Sequence, residues 1–306
     1  MSHVTLGRLG VHIAILVLTF CSQVSMVRGQ ALEPRSYTNV PIDQTFVVLG
    51  YTHSEGELTP TATSPLQDAM LDIDVAVVGM AQTFALSGRS AKIDFVATRQ
   101  CFEGSATFNG EFVEGRRCGY GDPNMRLSWN FYGAPALNLA DFAVWEPGLV
   151  MGASVQVSAP VGSYKDDAII NPGSNRWMVR PGVGMSYQWG RWHIDAIVSV
   201  RLFEDNDDYY DDLYVKQDPI YALQSHLIYT LNKGRWIALN ANFFSGGETN
   251  VDGVDMGDRQ ENSRFGITFS MPISGHNSVK FYANTGVITS IGNDFDTFGA
   301  AWQYRF

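Results

Sequence analysis

The last nine residues of the chain alternate between apolar and small or polar side chains. Phe298, Ala300, Trp302, Tyr304 and Phe306 occupy every second position. A period of two places these five on one face of a β-strand and the intervening residues on the other. In a soluble protein a further element must cover such an aromatic face, whereas in a membrane barrel the face contacts lipid. This pattern therefore favours a strand of a membrane-spanning β-barrel.

The same alternation recurs along the chain. It appears in ten further segments, each close to the roughly ten residues that a tilted spanning strand needs. A weaker strand at 44–53 and the terminal strand bring the total to about twelve, an even number as in bacterial barrels. The predicted fold is all-β, a transmembrane antiparallel up-and-down barrel of about twelve strands, with fourteen as the alternative. The ten segments are 70–82, 90–99, 123–133, 148–159, 176–189, 191–203, 219–231, 235–245, 262–271 and 278–288.

The connections between these segments alternate between tight turns and long polar loops. Periplasmic turns and extracellular loops alternate in this way in outer-membrane barrels, so both ends of the chain are expected in the periplasm. The connection 134–147 is too long for a turn, and we interpret it as a short helix or an inward plug. The predicted long loops are 54–69, 100–122, 160–175, 204–218 and 246–261.

The first 31 residues have the pattern of a secretory signal peptide. Arg8 precedes an apolar run from Val11 to Phe20, and Gly29-Gln30-Ala31 offers a small-x-small cleavage site. The run is too short for a spanning helix, so an uncleaved anchor is the less favoured alternative. We therefore assign 1–31 to a cleaved signal peptide and 32–306 to a barrel in the bacterial outer membrane.

Composition narrows the class of partner. A net charge of -10 argues against nucleic acid as a partner, because nucleic acid needs clustered Lys and Arg. Outer-membrane lipid and a small-molecule solute are the partners that a barrel implies. Cys101 and Cys118 are predicted to form a disulfide, as expected in an exported protein. The segment around them offers no further metal ligands, so neither a metal site nor a cofactor is predicted.

Several short segments resemble the family labelled "MetA-pathway of phenol degradation", a family of outer-membrane transporters. The resemblance spans essentially all of 32–306. It implies a barrel that is tied by name to the uptake of aromatic compounds, and it carries over no binding residue. The segments are LEPRSY at 32–37, APVGSY at 159–164, NPGSNRW at 171–177, RPGVG at 180–184, QSHL at 224–227 and WQYRF at 302–306.

The end of the chain also resembles the C-terminal assembly signal of outer-membrane barrels, in which a terminal Phe closes the barrel. On this resemblance Trp302, Tyr304 and Phe306 form the assembly signal. The resemblance implies that the barrel assembly machinery is a partner of the newly exported chain.

Because successive side chains of a strand point to opposite faces, the odd and even positions of each predicted strand form a lipid-facing and a lumen-facing set. We refer to this odd or even position as the parity of a residue. Leu71, Val155, Val198 and Leu239 are predicted to contact lipid. The inward charges could line a permeation path or pair with one another across the interior. Pairing is favoured for any single residue, because buried charges need partners. The lumen-lining candidates are Asp72, Asp74, Lys92, Asp94, Arg126, Arg180, His193, Asp195, Arg201, His226, Arg264 and Lys280.

Catalysis finds little support in the sequence. His193, Asp195 and Ser199 could suggest a hydrolase, but all three lie on one predicted strand. A working triad converges from separate segments with a strained nucleophile turn, so no enzyme is predicted.

The predicted function is a passive outer-membrane channel for small, apolar or aromatic solutes. The alternative is a structural or ligand-binding outer-membrane barrel with a closed lumen.

Overall fold

Twelve antiparallel strands hydrogen-bond side by side until the last pairs with the first. This computed structural model describes residues 33–59, 66–108, 111–168, 170–209, 212–289 and 292–306. The signal peptide predicted for 1–31 lies outside the described residues. The wall strands are β1 (Thr45–Thr59), β2 (Leu66–Leu86), β3 (Arg89–Phe108), β5 (Asn124–Tyr132), β6 (Leu149–Ser158), β7 (Met178–Trp189), β8 (Trp192–Phe203), β11 (Ile220–Thr230), β12 (Trp236–Gly246), β15 (Gln260–Pro272), β16 (Asn277–Thr289) and β17 (Gly292–Arg305).

Closure of the ring joins β1 to β17. Phe46 is the register partner of Arg305, and the pairing continues to Thr59 and Gly292. The backbone N–H of Phe306 donates to the carbonyl of Thr45 at 3.0 Å. The twelve-stranded antiparallel barrel predicted from alternation is confirmed, and the fourteen-stranded alternative is excluded.

The outer face of the barrel is apolar. Leu239, for example, is 60% exposed, and its neighbours on the same face are apolar as well. Aromatic rings cluster at the end of the barrel where β17 ends: Tyr187 stacks on Trp189 at 5.6 Å between ring centroids. Because short turns join most strands at this end, we assign it to the periplasm, where such rings form the interface girdle of a membrane barrel. Outward apolar residues include Met125, Leu127, Val155, Val183, Val198, Leu223, Leu239, Ile267, Phe281 and Phe298.

Two wall strands are about twice as long as a membrane span requires. β2 has 21 residues and β3 has 20, against roughly 9–11 for a tilted spanning strand. Their distal halves, together with β4 (Glu111–Tyr120), which pairs with β3, extend beyond the membrane on the extracellular side. Much of 54–69 and 100–122, predicted as loops, is therefore strand. A disulfide links β3 to β4 through the register partners Cys101 and Cys118, with an S–S distance of 2.01 Å.

This extension corrects three sequence-based assignments. Leu71 was predicted to face lipid, but it is 2% exposed and faces inward. Asp72 and Asp74 were predicted to line the lumen, but they lie on the outer face. There Asp74 accepts hydrogen bonds from Tyr51 at 2.5 Å and from His53 at 2.9 Å. Outside the membrane the outer face of the barrel meets water. The apolar residues in this part of β2 therefore face inward, which is the reverse of the arrangement expected within lipid.

The remaining connections contain short elements. The segment 134–147 holds the helix α1 (Leu139–Phe142), whose N-cap Asn138 accepts from the backbone of Ala140 and Asp141. A short helix was one of its two interpretations. In the part of the chain that the structure describes, no helix is long and apolar enough to cross a membrane. The extracellular strands β9 (Asn206–Tyr209), β10 (Leu213–Gln217), β13 (Thr249–Val251) and β14 (Val254–Asp255) form a separate small sheet.

The lipid-facing assignment can be tested by placing a charge on the outer wall. Val198 is 54% exposed, and its register partners Val183 and Leu223 also face outward. We expect Val198→Arg to lower the free energy of unfolding by about 2–4 kcal/mol, because the guanidinium enters hydrocarbon. The measurement is denaturant unfolding in lipid vesicles. Val254→Arg, in the extracellular sheet, is the control, and equal losses for both variants would contradict the lipid-facing assignment.

The role of the terminal residue can be tested separately. Phe306 is 67% exposed, and its ring lies 4.9 Å from that of Tyr304. We expect Phe306→Asp to reduce the amount of inserted barrel, because the interface loses an aromatic anchor. The control is Phe112→Asp on β4, where the ring is 69% exposed but extracellular. The measurement compares surface-exposed barrel per cell with flux per inserted barrel. Normal insertion with reduced flux would place Phe306 in the solute path instead.

Candidate functional site: the barrel lumen

A segment that precedes the first strand fills part of the barrel interior. We call residues 33–44 the N-terminal plug. Near β1 the plug is held at the periplasmic end, where the N–H of Ile42 donates to the carbonyl of Leu137 at 2.9 Å. Further from β1 it enters the lumen, and the side chains of Tyr37 and Asn39 are buried. The inward plug that was considered for 134–147 is thus formed by a different segment.

Two glycines in the wall create a socket for the ring of Tyr37. Gly152 on β6 and Gly184 on β7 are register partners, and both face the lumen. A Cβ at Gly184 would lie 2.3 Å from Cε2 of Tyr37, and one at Gly152 would lie 2.5 Å from Cδ1. The Tyr37 hydroxyl is 2.9 Å from Oγ of Ser154. Only glycine at these two positions lets the ring lie against the wall.

A charged cluster lies beside this socket. Arg126 forms an ion pair with Glu33 of the plug. The same guanidinium donates through Nε to Asp94 at 3.2 Å, and Lys92 Nζ lies 3.5 Å from Asp94. Buried charges of both signs thus satisfy one another, as is required in a low-dielectric interior. The pairing links wall strands β3 and β5 to the plug.

A second polar cluster holds the middle of the plug. His193 Nε2 lies 2.9 Å from Asp195 Oδ1 and is also hydrogen-bonded to Ser186. The backbone N–H of Arg35 donates to Asp195 Oδ2 at 2.7 Å. A catalytic triad needs the serine and the carboxylate on opposite ring nitrogens. Here both contact Nε2, so this arrangement cannot relay a proton as a triad does.

A row of buried polar side chains continues from this cluster across β11, β12 and β15, since His226 is the register partner of Asp195. His226 Nδ1 lies 2.8 Å from Asn240 Oδ1, and Asn240 Nδ2 donates to Thr268 Oγ1 at 2.9 Å. Arg264 donates to Asn284 at 3.4 Å. The lumen candidates that face inward are therefore Lys92, Asp94, Arg126, Arg180, His193, Asp195, Arg201, His226, Arg264 and Lys280.

Towards its extracellular end the lumen has an apolar surface on the side formed by β2, β3 and β17. Leu71, Ile73, Phe102 and Phe295 form a buried cluster on the extended strands, and Ile170 from the β6–β7 connection packs against it. The carboxylate of Asp122 holds the β6–β7 connection in place. It accepts hydrogen bonds from two backbone N–H groups and one side-chain hydroxyl of that connection. Those donors are Gly162 N at 2.9 Å, Ser174 N at 2.9 Å and Ser174 Oγ at 2.6 Å.

Sequence reasoning missed the plug and its socket. Segment 33–44 has no alternation, so nothing in its pattern placed it inside the barrel. The signal that was available is local: Glu33, Arg35 and Tyr37 carry two charges and a ring, all suited to a polar lumen. The paired positions of Gly152 and Gly184 become visible only once the register between β6 and β7 is known.

Comparison with known proteins places this barrel in a family. The profile of the family described as "Putative MetA-pathway of phenol degradation" matches residues 73–306. The chain belongs to this family. Among proteins whose functions have been curated, none matches the chain.

Solved structures share the fold of this family member. An outer membrane channel from Pseudomonas putida F1 is 21% identical, with a TM-score of 0.78 over 90% of this chain and 100% of that one. The transport unit of the autotransporter AIDA-I from Escherichia coli is 10% identical, with a TM-score of 0.53 over 97% and 98% of the two chains. These likenesses establish an outer-membrane barrel fold.

The socket predicts how the plug can be loosened. In Gly184→Ala the new methyl group would overlap the Tyr37 ring, so we expect the plug to withdraw and single-channel conductance to rise severalfold. Gly182→Ala is the control, because a Cβ there contacts Ser199 and Val198 at 3.2 Å and not Tyr37. Adding Tyr37→Ala to Gly184→Ala should give no further rise. Unchanged conductance in both Gly184→Ala and Tyr37→Ala would show that the ring does not obstruct the lumen.

Proposed function

We propose that this protein is an outer-membrane channel for small, apolar or aromatic solutes, and that the N-terminal plug obstructs its lumen. The single observation that carries the proposal is the occupant of the lumen. The N-terminal plug, which continues into β1, fills the space beside Gly152 and Gly184. A barrel that served only as a structural unit would fill this space with side chains of its own wall, as small barrels do.

The distribution of apolar and charged surface in the interior supports the proposed solute class. The extracellular end presents the apolar cluster of Leu71, Ile73, Phe102 and Phe295. Contact with such a surface lowers the free energy of an apolar solute relative to water. The family description names a pathway of phenol degradation, and the Pseudomonas putida relative is described as a channel. Both descriptions support transport of aromatic compounds by this chain.

A closed barrel that binds ligands through its loops is the competing function. It is favoured by the occupied lumen, since the plug is held by ion pairs and hydrogen bonds along its length. A hydrolase is not proposed, because Ser186 and Asp195 share one nitrogen of His193.

Uptake by intact cells separates these functions. Pure lipid vesicles pass apolar solutes unaided, so the assay uses cells with a lipopolysaccharide outer leaflet. We expect cells with the protein to take up radiolabelled benzyl alcohol several times faster than cells without it, because the lumen bypasses that leaflet. Cells that produce Phe306→Asp, with less barrel at their surface, show whether the uptake rate scales with the amount of inserted protein. Equal uptake with and without the protein would support the closed barrel.

The plug is tested in the same assay. Tyr37 and Ser154 are replaced by Cys and joined with a short bifunctional thiol reagent, which fixes the plug to β6. Uptake should fall to the level of cells without the protein. The single variant Tyr37→Cys, treated with the same reagent, is the control and should retain uptake. Full uptake in the cross-linked protein would mean that solutes pass without movement of the plug.

A further inference from the structure

We infer that the plug occupies a binding site for an aryl carboxylate, with Glu33 in the place of the ligand's carboxylate and Tyr37 in the place of its ring. The inference rests on the proposed function only in that the plug can withdraw from the lumen. The site lies on the wall formed by β3, β5, β6 and β7, and one further cation, Lys280, faces it from β16.

The carboxylate half of the site is a group of basic side chains. Arg126 is paired with Glu33, and Arg180 and Lys92 lie close enough for their charges to interact with the same carboxylate. Lys280 on β16 also interacts with Glu33 and with Lys92. Arg126 and Arg180 stand at one level of the wall, because both strands pair with β6 at Gln156. A guanidinium can hold a carboxylate through two parallel hydrogen bonds, which favours this class of anion.

The charge of this group depends on the plug. With Glu33 in place, two carboxylates face four cations: Glu33 and Asp94 against Lys92, Arg126, Arg180 and Lys280. When Glu33 leaves, Asp94 alone faces the same four. Like charges held together away from water repel strongly. The emptied site therefore attracts anions, and a solute that brings a negative charge can compete with Glu33 for the site.

The ring half of the site lies next to the cations. Tyr37 rests against Gly152 and Gly184, and its hydroxyl reaches Ser154. Arg180 lies four residues before Gly184 on β7. The charges of Arg126 and Arg180 act on the Tyr37 hydroxyl. Withdrawal of the plug would therefore uncover a flat, ring-sized recess beside a cationic pair. An aromatic acid offers both complementary parts in one small molecule.

Binding to the purified, detergent-solubilised protein tests this inference without any transport step. The probe is 3-phenylpropionate, and 3-phenylpropan-1-ol is its uncharged analogue. By calorimetry in low-chloride buffer, we expect Glu33→Gln to bind the acid at least tenfold more tightly than the wild type, because the tethered competitor is gone. The affinity for the alcohol should change less than twofold. Glu111→Gln, on the exposed strand β4, is the matched control and should behave as the wild type.

Further variants identify the residues and guard against misfolding. Adding Arg180→Gln to Glu33→Gln should remove the gain in affinity for the acid. Folding of each variant is checked by its heat-dependent mobility in detergent gels. Where Glu33→Gln does not fold, Ser36→Cys reports on the plug with Glu33 in place. The acid, and not the alcohol, should then accelerate maleimide labelling of Cys at position 36.

The outcomes distinguish this inference from the proposed function. An equal affinity of wild type and Glu33→Gln for the acid would overturn it, as would an equal gain for the alcohol or labelling that the acid does not accelerate. Uptake of benzyl alcohol without acid binding would leave the channel standing and reject the site. Acid binding without uptake in the cell assay would support the site and reject the channel.

Discussion

Satisfaction of backbone hydrogen bonds in lipid is the constraint on which the rest of this structure depends. A sheet with open edges would expose N–H and C=O groups to hydrocarbon, so it must close on itself. Pairing of β1 with β17 achieves this closure, and the hydrogen bond from Phe306 to Thr45 extends it to the last residue. Once the ring is closed, alternate side chains must face lipid or lumen, and the polar set is confined to the interior.

A twelve-stranded ring encloses more space than its own side chains fill at this wall. Eight strands enclose an interior that side chains can fill, whereas sixteen or more leave an aqueous channel. This barrel lies between these cases, and the plug occupies part of the difference. The two glycines opposite Tyr37 deepen the recess, while Arg126 and Asp195 hold the plug at separate points. The obstruction is thus a separate segment of the chain and not part of the wall.

The same closed wall serves two solvents along its length. Within lipid, the outer face is apolar and the inner face carries charges that pair with the plug. Beyond the membrane, β2 and β3 continue into water, where Asp72 and Asp74 face outward and Leu71 packs inward. This reversal gives the extracellular end of the lumen its apolar surface. In the proposed channel, a solute that enters from outside would contact this apolar surface first and the charged region beside the plug second.

The sequence by itself determined the fold, because alternation with a period of two is a local property that closure in a membrane then selects. All twelve predicted segments correspond to wall strands; 191–203, for instance, became Trp192–Phe203. Parity also placed ten of the twelve lumen candidates on the inner face. It misplaced Asp72 and Asp74, because parity alone does not reveal where a strand leaves the membrane. The plug, its socket and the shared nitrogen of His193 were decided only by the tertiary structure. The plug contacts join residues more than a hundred positions apart, such as Tyr37 and Ser154, and no local pattern encodes a contact of that kind. Ser186 and His193 are only seven residues apart, but which ring nitrogen the serine contacts depends on the side-chain geometry of the β7–β8 pair.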